Sequence, residues 1–145
     1  MVQTSTPNIQ LSELPGLDIQ RGLKTTQNNQ GLYIRLLNKF DDKQRDFTSQ
    51  FQQALSEDIN DAQRTAHSLK GNSGNLGMTD LFESAKNLEF ACKDQNEENI
   101  SIALQIVEEH LSIVLSSIEI LNDSLQDNSG NNSQQAEGVL QAEGS

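Results

Sequence analysis

No proline occurs in this chain after Pro15, and from there apolar side chains recur every three or four positions over about 110 residues. This spacing is typical of α-helices that bury one face, and no alternating strand pattern of any length interrupts it. The sequence therefore predicts an all-α fold. Residues 111–121 (LSIVLSSIEIL) also admit a strand, because they are β-branched and apolar nearly all round. The long window without Pro or Gly around them favours a helix.

The apolar stripes predict one short helix and four long ones. We expect them at residues 17–23, 30–55, 58–76, 80–92 and 97–125. The buried stripe of the last helix is expected to consist of Ala103, Ile106, Val107, His110, Val114, Ser117 and Leu121. Asp58 or Ser56 is a suitable cap for the third of these helices, and Gly77 is expected to end it in a left-handed conformation. Thr79 or Asp80 is expected to cap the next helix. Because the connections are short, neighbouring helices should be antiparallel. The expected architecture is an up-down-up-down four-helix bundle with the short N-terminal helix capping one end.

The composition sets the expected boundaries and excludes several classes of function. We expect a flexible leader at residues 1–13, the bundle at 14–126, and a disordered tail at 127–145, which is rich in Asn, Ser, Gln and Gly. The chain carries 10 Lys+Arg against 21 Asp+Glu, a formal net charge of -11. Such a chain repels phosphate backbones and anionic lipid, so we expect no binding to nucleic acid and no direct membrane contact.

Cysteine usage and the N-terminal sequence bear on the compartment. Cys92 is the single cysteine, which excludes an internal disulfide framework and a cysteine-based zinc site. We expect it to be a small buried apolar residue. The first ten residues lack a basic region followed by an apolar one, so they do not resemble a signal peptide. A cytoplasmic location is expected.

The segment from Ala66 to Gly77 contains the candidate site. At about 100° per residue, Arg64, His67, Gly71 and Gly74 are expected on the solvent face of the helix, with Lys70 at its edge. Two glycines within a helix cost about 1 kcal/mol each relative to alanine, so something must compensate for that cost. Without a Cβ they would let a second protein approach the histidine closely.

The residue types on this face suit a phosphoryl acceptor. A neutral imidazole is a good nucleophile, and its ordinary pKa of about 6.5 leaves most of it neutral at pH 7. Lys70, one turn after His67, can offset the charge of a phosphoryl group, and Arg64, one turn before, can add to the positive field. Such a site needs no metal, general base or nucleotide pocket of its own.

This segment resembles the signature of the histidine-containing phosphotransfer (HPt) domains of bacterial phosphorelays. The pattern A-H-x-L-K-G followed by a later glycine is matched by the residues Ala66, His67, Leu69, Lys70, Gly71 and Gly77. The lead-in at residues 14–40 is similar to that of HPt modules at the C-terminus of hybrid sensor histidine kinases, and Leu88-Glu89 also fits. The resemblance covers about residues 14–122.

The resemblance implies a role for each matching residue. His67 would carry the phosphoryl group on a ring nitrogen, Lys70 would stabilise it, and Gly71 would leave room for a receiver domain of a response regulator. The receiver would supply the aspartate and Mg²⁺, so no cofactor or metal is expected on this chain. The protein would be a phosphoryl carrier without autonomous kinase activity. It would be a monomer rather than a dimer, either separate from a sensor histidine kinase or fused to one as its cytoplasmic portion.

Two alternatives remain open from the sequence. The chain could be a non-catalytic helical module that docks a receiver or a kinase without being phosphorylated. It could also be the phosphorylated helical domain of a kinase whose ATP-binding domain follows residue 145. The second histidine, His110, falls on the apolar stripe of the last helix, so we expect it in the core or at its boundary and not in a second site.

Overall fold

The structure, a computed structural model, describes residues 14–136, with side chains described as far as Leu125. Every regular element in this region is a helix. The helices are α1 (Ile19–Thr25), α2 (Gln30–Gln44), α3 (Phe47–Glu57), α4 (Ile59–Asn75), α5 (Thr79–Lys93) and α6 (Glu97–Ala136). The all-α prediction is confirmed for the described residues, and residues 111–121 are helical. The predicted leader at 1–13 lies outside the described residues, as do residues 137–145.

Two predicted helix boundaries differ from the structure. The single helix expected at residues 30–55 is two helices, because Asp46 leaves the helical region (φ -100°, ψ 24°) between α2 and α3. Beyond the break the rings of Phe47 and Phe51 stack with centroids 5.8 Å apart, and both are fully buried. No proline or glycine marks the break, so tertiary packing overrides local propensity here.

The last helix, α6, continues past the predicted end at Leu125 as far as Ala136. Residues 127–136 are therefore helical where the sequence predicted a disordered tail. Asn, Ser and Gln are only moderately unfavourable in a helix, and extending an existing helix is easier than starting one. A run of such residues without proline can thus prolong a helix that tertiary packing has already stabilised.

The ends of α4 follow the predicted local rules, whereas the start of α5 does not. The side chain of Asp58 accepts a hydrogen bond from the backbone N–H of Asn60 at 2.9 Å, as an N-terminal cap should. Gly77 has φ +79° and follows the end of α4, as predicted. The predicted capping of α5 by Thr79 or Asp80 is wrong, because the buried Met78 occupies the cap position and no side chain caps the helix.

The core is formed where α4 packs against α3 and α5, and α5 packs against α6. The predicted buried stripes of the two central helices are confirmed by the fully buried residues Ala62, Ala66, Leu69, Ser73, Leu81, Ala85, Leu88 and Cys92. On α6 the buried stripe includes Ile100, Val107, Val114 and Ile118. Ile106, predicted for the core, is exposed, because one residue before Val107 turns its side chain about 100° away from that stripe.

The N-terminal part of the fold holds the C-terminal end of α4. The backbone N–H of Asp18 donates to the carbonyl of Gly77 at 2.7 Å. The hydroxyl of Tyr33 donates to the carbonyl of Leu76, also at 2.7 Å, and burial raises the pKa of this phenol above its ordinary value. These bonds join the two residues that directly follow α4 to the N-terminal part of the fold, so the end of α4 is fixed in position.

The apolar character of α6 is explained only in part by the core. Between Glu97 and Leu125 this helix is long and apolar enough to cross a membrane by length and composition, with a mean hydropathy of 1.3 over its most apolar window. About 39% of that window is buried inside the fold. Core helices of soluble proteins have the same properties, so this feature is weak evidence for a membrane span.

Candidate functional site

His67 lies on the outer face of α4, and its side chain is 65% exposed. Its neighbour Ala66 and the next residue but one, Leu69, are both fully buried and anchor the other side of the helix. The exposure predicted for His67 from the helical phase is therefore confirmed. His67 lies in the middle of a helix that is anchored by its buried side, so the backbone at this position is held in place while the imidazole ring faces solvent.

The carboxylate of Glu89, on α5, connects His67 to Lys70. Its Oε2 lies 2.8 Å from Nδ1 of His67, and its Oε1 lies 2.8 Å from Nζ of Lys70. The Glu89 side chain is only 8% exposed, because it lies where α5 packs against α4. A largely buried carboxylate thus links the two residues that the sequence placed one helical turn apart.

The surroundings of Glu89 favour its ionised form. Burial by itself raises the pKa of this carboxyl, but the hydrogen bonds from Lys70 and His67, together with their charges, outweigh burial and lower the pKa. The carboxylate is therefore ionised at neutral pH and can only accept hydrogen bonds. At the 2.8 Å contact, Nδ1 of His67 must then be the donor, which leaves the lone pair of the neutral ring on Nε2.

The two cationic candidates differ in their contacts. Lys70 is 26% exposed at its side chain, in agreement with its predicted place at the edge of the face, and its ammonium bonds to Glu89. Arg64 is highly exposed and forms an ion pair with Asp61, one turn earlier on α4. The structure therefore brings His67 and Lys70 together through Glu89, whereas it gives Arg64 a different partner.

The two glycines of the exposed face have different surroundings. A Cβ built on Gly71 would meet nothing within 4 Å, so this position is open to an approaching molecule. A Cβ on Gly74 would lie 2.9 Å from the ring of Phe82, on α5. The packing of Phe82 against α4 thus explains why a residue without a side chain is needed at position 74. The docking role predicted for Gly74 stays a prediction.

The remaining candidates lie away from this face. His110 is partly buried on α6, as predicted, and its Nδ1 is buried without a hydrogen-bond partner. Cys92 is buried, as predicted, and burial together with the nearby charge of Glu89 raises the pKa of its thiol. Within residues 14–136, no three His, Cys, Asp or Glu side chains are grouped so that they could hold a metal ion.

Glu89 is the functional residue that reasoning from the sequence missed. The family resemblance included Leu88-Glu89, but no role followed from it. A signal was present, since Glu89 falls only about 70° from the centre of the buried stripe of α5. A carboxylate so close to a core face needs a partner, yet a pairing between helices 22 positions apart cannot be obtained from spacing along one helix.

The candidate site thus combines an exposed histidine, a largely buried carboxylate, a lysine and an open glycine. It lies on the surface of a domain whose described elements are all helices. Residues 35–128, more than half of the chain, match the family described as Hpt domain, and the chain belongs to this family. Hpt domains carry out histidine phosphotransfer in phosphorelays and interact with receiver domains. Comparisons with curated proteins and with solved structures give no significant match.

Proposed function

We propose that His67 accepts a phosphoryl group from the aspartyl phosphate of one receiver domain and passes it to the aspartate of another. The observation that carries this proposal is the contact of 2.8 Å between Nδ1 of His67 and the Glu89 carboxylate, on a ring that is otherwise exposed. With the ring proton held on Nδ1 by this carboxylate, the nitrogen that carries the lone pair would be the outer one, Nε2.

The transfer can be written with all bonds balanced. The Nε2 lone pair attacks the phosphorus, a nitrogen–phosphorus bond forms, and the bond between phosphorus and the receiver's aspartyl oxygen breaks. The bonding electrons leave with the aspartate carboxylate. The proton on Nδ1 stays in place, so the ring gains positive charge, and the adjacent Glu89 carboxylate offsets it.

Lys70 has a complementary role in this proposal. Phosphoryl transfer requires in-line placement and neutralisation of charge more than covalent machinery. The Lys70 ammonium is held at the edge of the face by Glu89, one turn from His67, where a phosphoryl oxygen can approach it. The carboxylate therefore orients both the nucleophile and the cation that stabilises the product.

Docking of the receiver would use the open surface around Gly71. Nothing lies within 4 Å of a Cβ at that position, so backbone and side chains of a partner can come close to His67. Arg64 and Gly74 would lie at the margin of the contact. The receiver would contribute the aspartate and Mg²⁺, and this chain would contribute no cofactor and no ATP-dependent kinase activity.

The wider setting of the module is part of the same proposal. We place α2 with α3, α4, α5 and α6 in an antiparallel up-down-up-down four-helix bundle, with α1 across one end. The module would act as a monomer in the cytoplasm, as part of a bacterial hybrid sensor histidine kinase or beside one. The support for this setting is the membership in the Hpt family, together with the short connections between the helices.

A labelling experiment with the two histidines of the chain tests the proposal. The protein is incubated with a phosphorylated receiver domain and Mg²⁺, and phosphoryl incorporation is followed over time. We expect His67→Gln to abolish incorporation, and His110→Gln, the matched control, to retain it. Equal labelling of the parent and the His67→Gln variant would overturn the proposal. Receiver binding that persists without any labelling of the parent would favour the non-catalytic docking module.

A further inference from the structure

Helix α6 carries exposed apolar side chains that neither the core nor the His67 site uses. They are Ile102, Ile106, Ile113 and Ile120, here called the isoleucine stripe, and each is between 41% and 53% exposed. Spacings of four and seven residues keep the stripe within a sector of about 40°, and it extends about 27 Å along the helix. The opposite side of α6 supplies the core, so burial of the stripe is not needed for folding.

The stripe continues onto α5 through Phe90, which is 67% exposed. Between the two helices lies a groove of about 270 Å³, lined in part by Phe90, Ala91, Ile102 and Ile106. Its size suits a large apolar side chain. Soluble monomers rarely expose large contiguous apolar patches, and those that they do expose commonly mark binding sites.

The charges that α6 itself carries beside the stripe are all negative, whereas the exposed Lys86 and Lys93 lie one turn before and after Phe90 on α5. No Lys or Arg occurs anywhere in the sequence after Lys93. Glu98, Glu109 and Asp123 lie within about 80° of the isoleucines on one side, and all three are exposed. In the part of the chain that the structure describes, none of these three carboxylates forms an ion pair with a basic side chain.

We propose that the isoleucine stripe is a docking surface for a basic amphipathic helix of a partner protein. The apolar side of such a helix would cover the isoleucines and insert a side chain into the groove beside Phe90, while its Lys and Arg would face the carboxylates of α6. A second copy of this chain is a poorer occupant, because it would bring the same carboxylates into contact and carries a net charge of -11.

This surface is separate from the proposed phosphoryl site. On α5 the adjacent residues Glu89 and Phe90 point to different neighbours, since Glu89 bonds to His67 and Lys70 on α4 and Phe90 lines the groove with α6. A helix bound along the isoleucine stripe would therefore leave His67 accessible. The stripe would allow a partner to hold the module while receivers exchange at the other face.

A designed peptide tests the proposal on the full chain. The probe is a synthetic helix of 20 residues with leucines on one side and lysines on the other, and a peptide with glutamates in place of the lysines is its control. Binding is measured by titration calorimetry, and the site is mapped by NMR. We expect one Leu/Lys peptide to bind per chain with shift changes centred on α6, and the Leu/Glu peptide not to bind.

Three double variants separate the stripe from general charge attraction. Ile106→Ser with Ile113→Ser should weaken binding about tenfold or more, because the centre of the apolar contact is lost. Glu98→Lys with Glu109→Lys should also weaken it, and by more than Glu57→Lys with Glu83→Lys. The two Glu→Lys double variants change the net charge by the same amount, and all four glutamates are exposed. Their comparison therefore remains informative even if the double serine variant is unstable.

Several results would overturn the proposal. They are absence of Leu/Lys binding, binding mapped away from α6, or equal weakening by the two charge pairs. If the parent chain formed a dimer and Ile106→Ser with Ile113→Ser converted it to a monomer, a second copy of the chain would be identified as the partner that covers the stripe. Binding of the parent to neutral phosphatidylcholine vesicles, lost in the serine pair, would identify a lipid surface.

Discussion

At the scale of single residues, the Glu89 carboxylate accepts hydrogen bonds from both His67 and Lys70. A carboxylate that fixes one nitrogen of an imidazole determines which nitrogen keeps the lone pair. Because Glu89 is nearly buried, its contacts are shielded from water and are stronger than those of an exposed pair. In the proposed function, the neighbouring helix would therefore determine which nitrogen of His67 reacts.

Replacing Glu89 by Gln tests this positioning role. The substitution keeps the size of the side chain but removes its charge, and hydrogen bonds to charged groups contribute about 1.5–3 kcal/mol. We expect phosphorylation of His67 by a phosphorylated receiver to slow about tenfold or more, with binding of the receiver little changed. Glu83→Gln, an exposed change on the same helix, is the control. Equal rates for Glu89→Gln and the parent would contradict the role.

The same carboxyl predicts a dependence of stability on pH. The pKa of Glu89 is lowered in the folded chain, so its contribution is fully present above the unfolded pKa of about 4.3 and is lost as pH falls through the folded value. We expect the free energy of unfolding, measured with urea at pH 7, to be lower for Glu89→Gln than for the parent. Between pH 7 and a pH below 4, this free energy should fall less for the variant than for the parent. Parallel stability curves for the two proteins over that range would show that Glu89 is not responsible.

At the scale of elements, α4 combines an anchored buried face with an exposed face of small residues. Ala62, Ala66 and Leu69 are fully buried, while Gly71 is open to solvent. The left-handed Gly77 ends the helix, and bonds from Asp18 and Tyr33 hold its last turn. These contacts keep the helix in place despite glycines in its interior, each of which costs about 1 kcal/mol.

The two glycines of this helix should respond differently to alanine. Gly71→Ala should raise the free energy of unfolding by up to about 1 kcal/mol, because alanine is the better helix former and its Cβ meets nothing. It should also slow phosphotransfer, since the methyl group enters the docking surface. Gly74→Ala should bring no such gain, because its Cβ would contact Phe82 at 2.9 Å.

Thermal unfolding of the two single variants and of Gly74→Ala combined with Phe82→Leu checks this difference. The double variant should recover stability relative to Gly74→Ala with Phe82 intact. A gain for Gly74→Ala as large as that for Gly71→Ala would show that Phe82 does not restrict the site.

The buried side of α4 carries a prediction of its own. Leu69→Ala should lower the free energy of unfolding by about 2–5 kcal/mol, because the residue is fully buried and its removal leaves a cavity. Ser68→Ala, the exposed neighbouring position, should change it by less than about 1 kcal/mol. Chemical denaturation measures both variants, and a small effect of Leu69→Ala would contradict the observed phase of α4.

Local patterns predicted the parts of the fold that depend on a single helix. The phase of α4 placed His67 outside, Lys70 at the edge and Leu69 inside, and the structure agrees. Gly77 ended the helix as its conformational freedom indicated. Each of these features depends on contacts within one or two turns or on one apolar stripe.

Features that depend on contacts between helices were not predicted. The break before Phe47 and the exposure of Ile106 follow from how α3 and α6 pack. The pairing of Glu89 with His67 and Lys70 joins α5 to α4, and Phe82 explains Gly74 in the same way. Spacing along a single helix contains no information on which residues of another helix will face it.

At the scale of the whole molecule, α5 separates two exposed surfaces of different chemistry. Toward α4 it supplies Glu89 to the polar site around His67, and toward α6 it supplies Phe90 to the apolar groove. The fold thus provides the proposed phosphoryl site and a separate apolar surface flanked by the carboxylates of α6. Both surfaces depend on the same central helix, yet they can be changed independently.

The central claim is that Glu89 holds the proton on Nδ1 of His67, so that Nε2 receives the phosphoryl group. The most direct measurement is a ¹H–¹⁵N correlation spectrum of the imidazole nitrogens in uniformly labelled protein, before and after phosphorylation by a receiver. We expect the Nδ1–H form in the free protein and phosphorus bonded to Nε2 in the product. A free ring protonated on Nε2, or a product phosphorylated on Nδ1, would contradict the account.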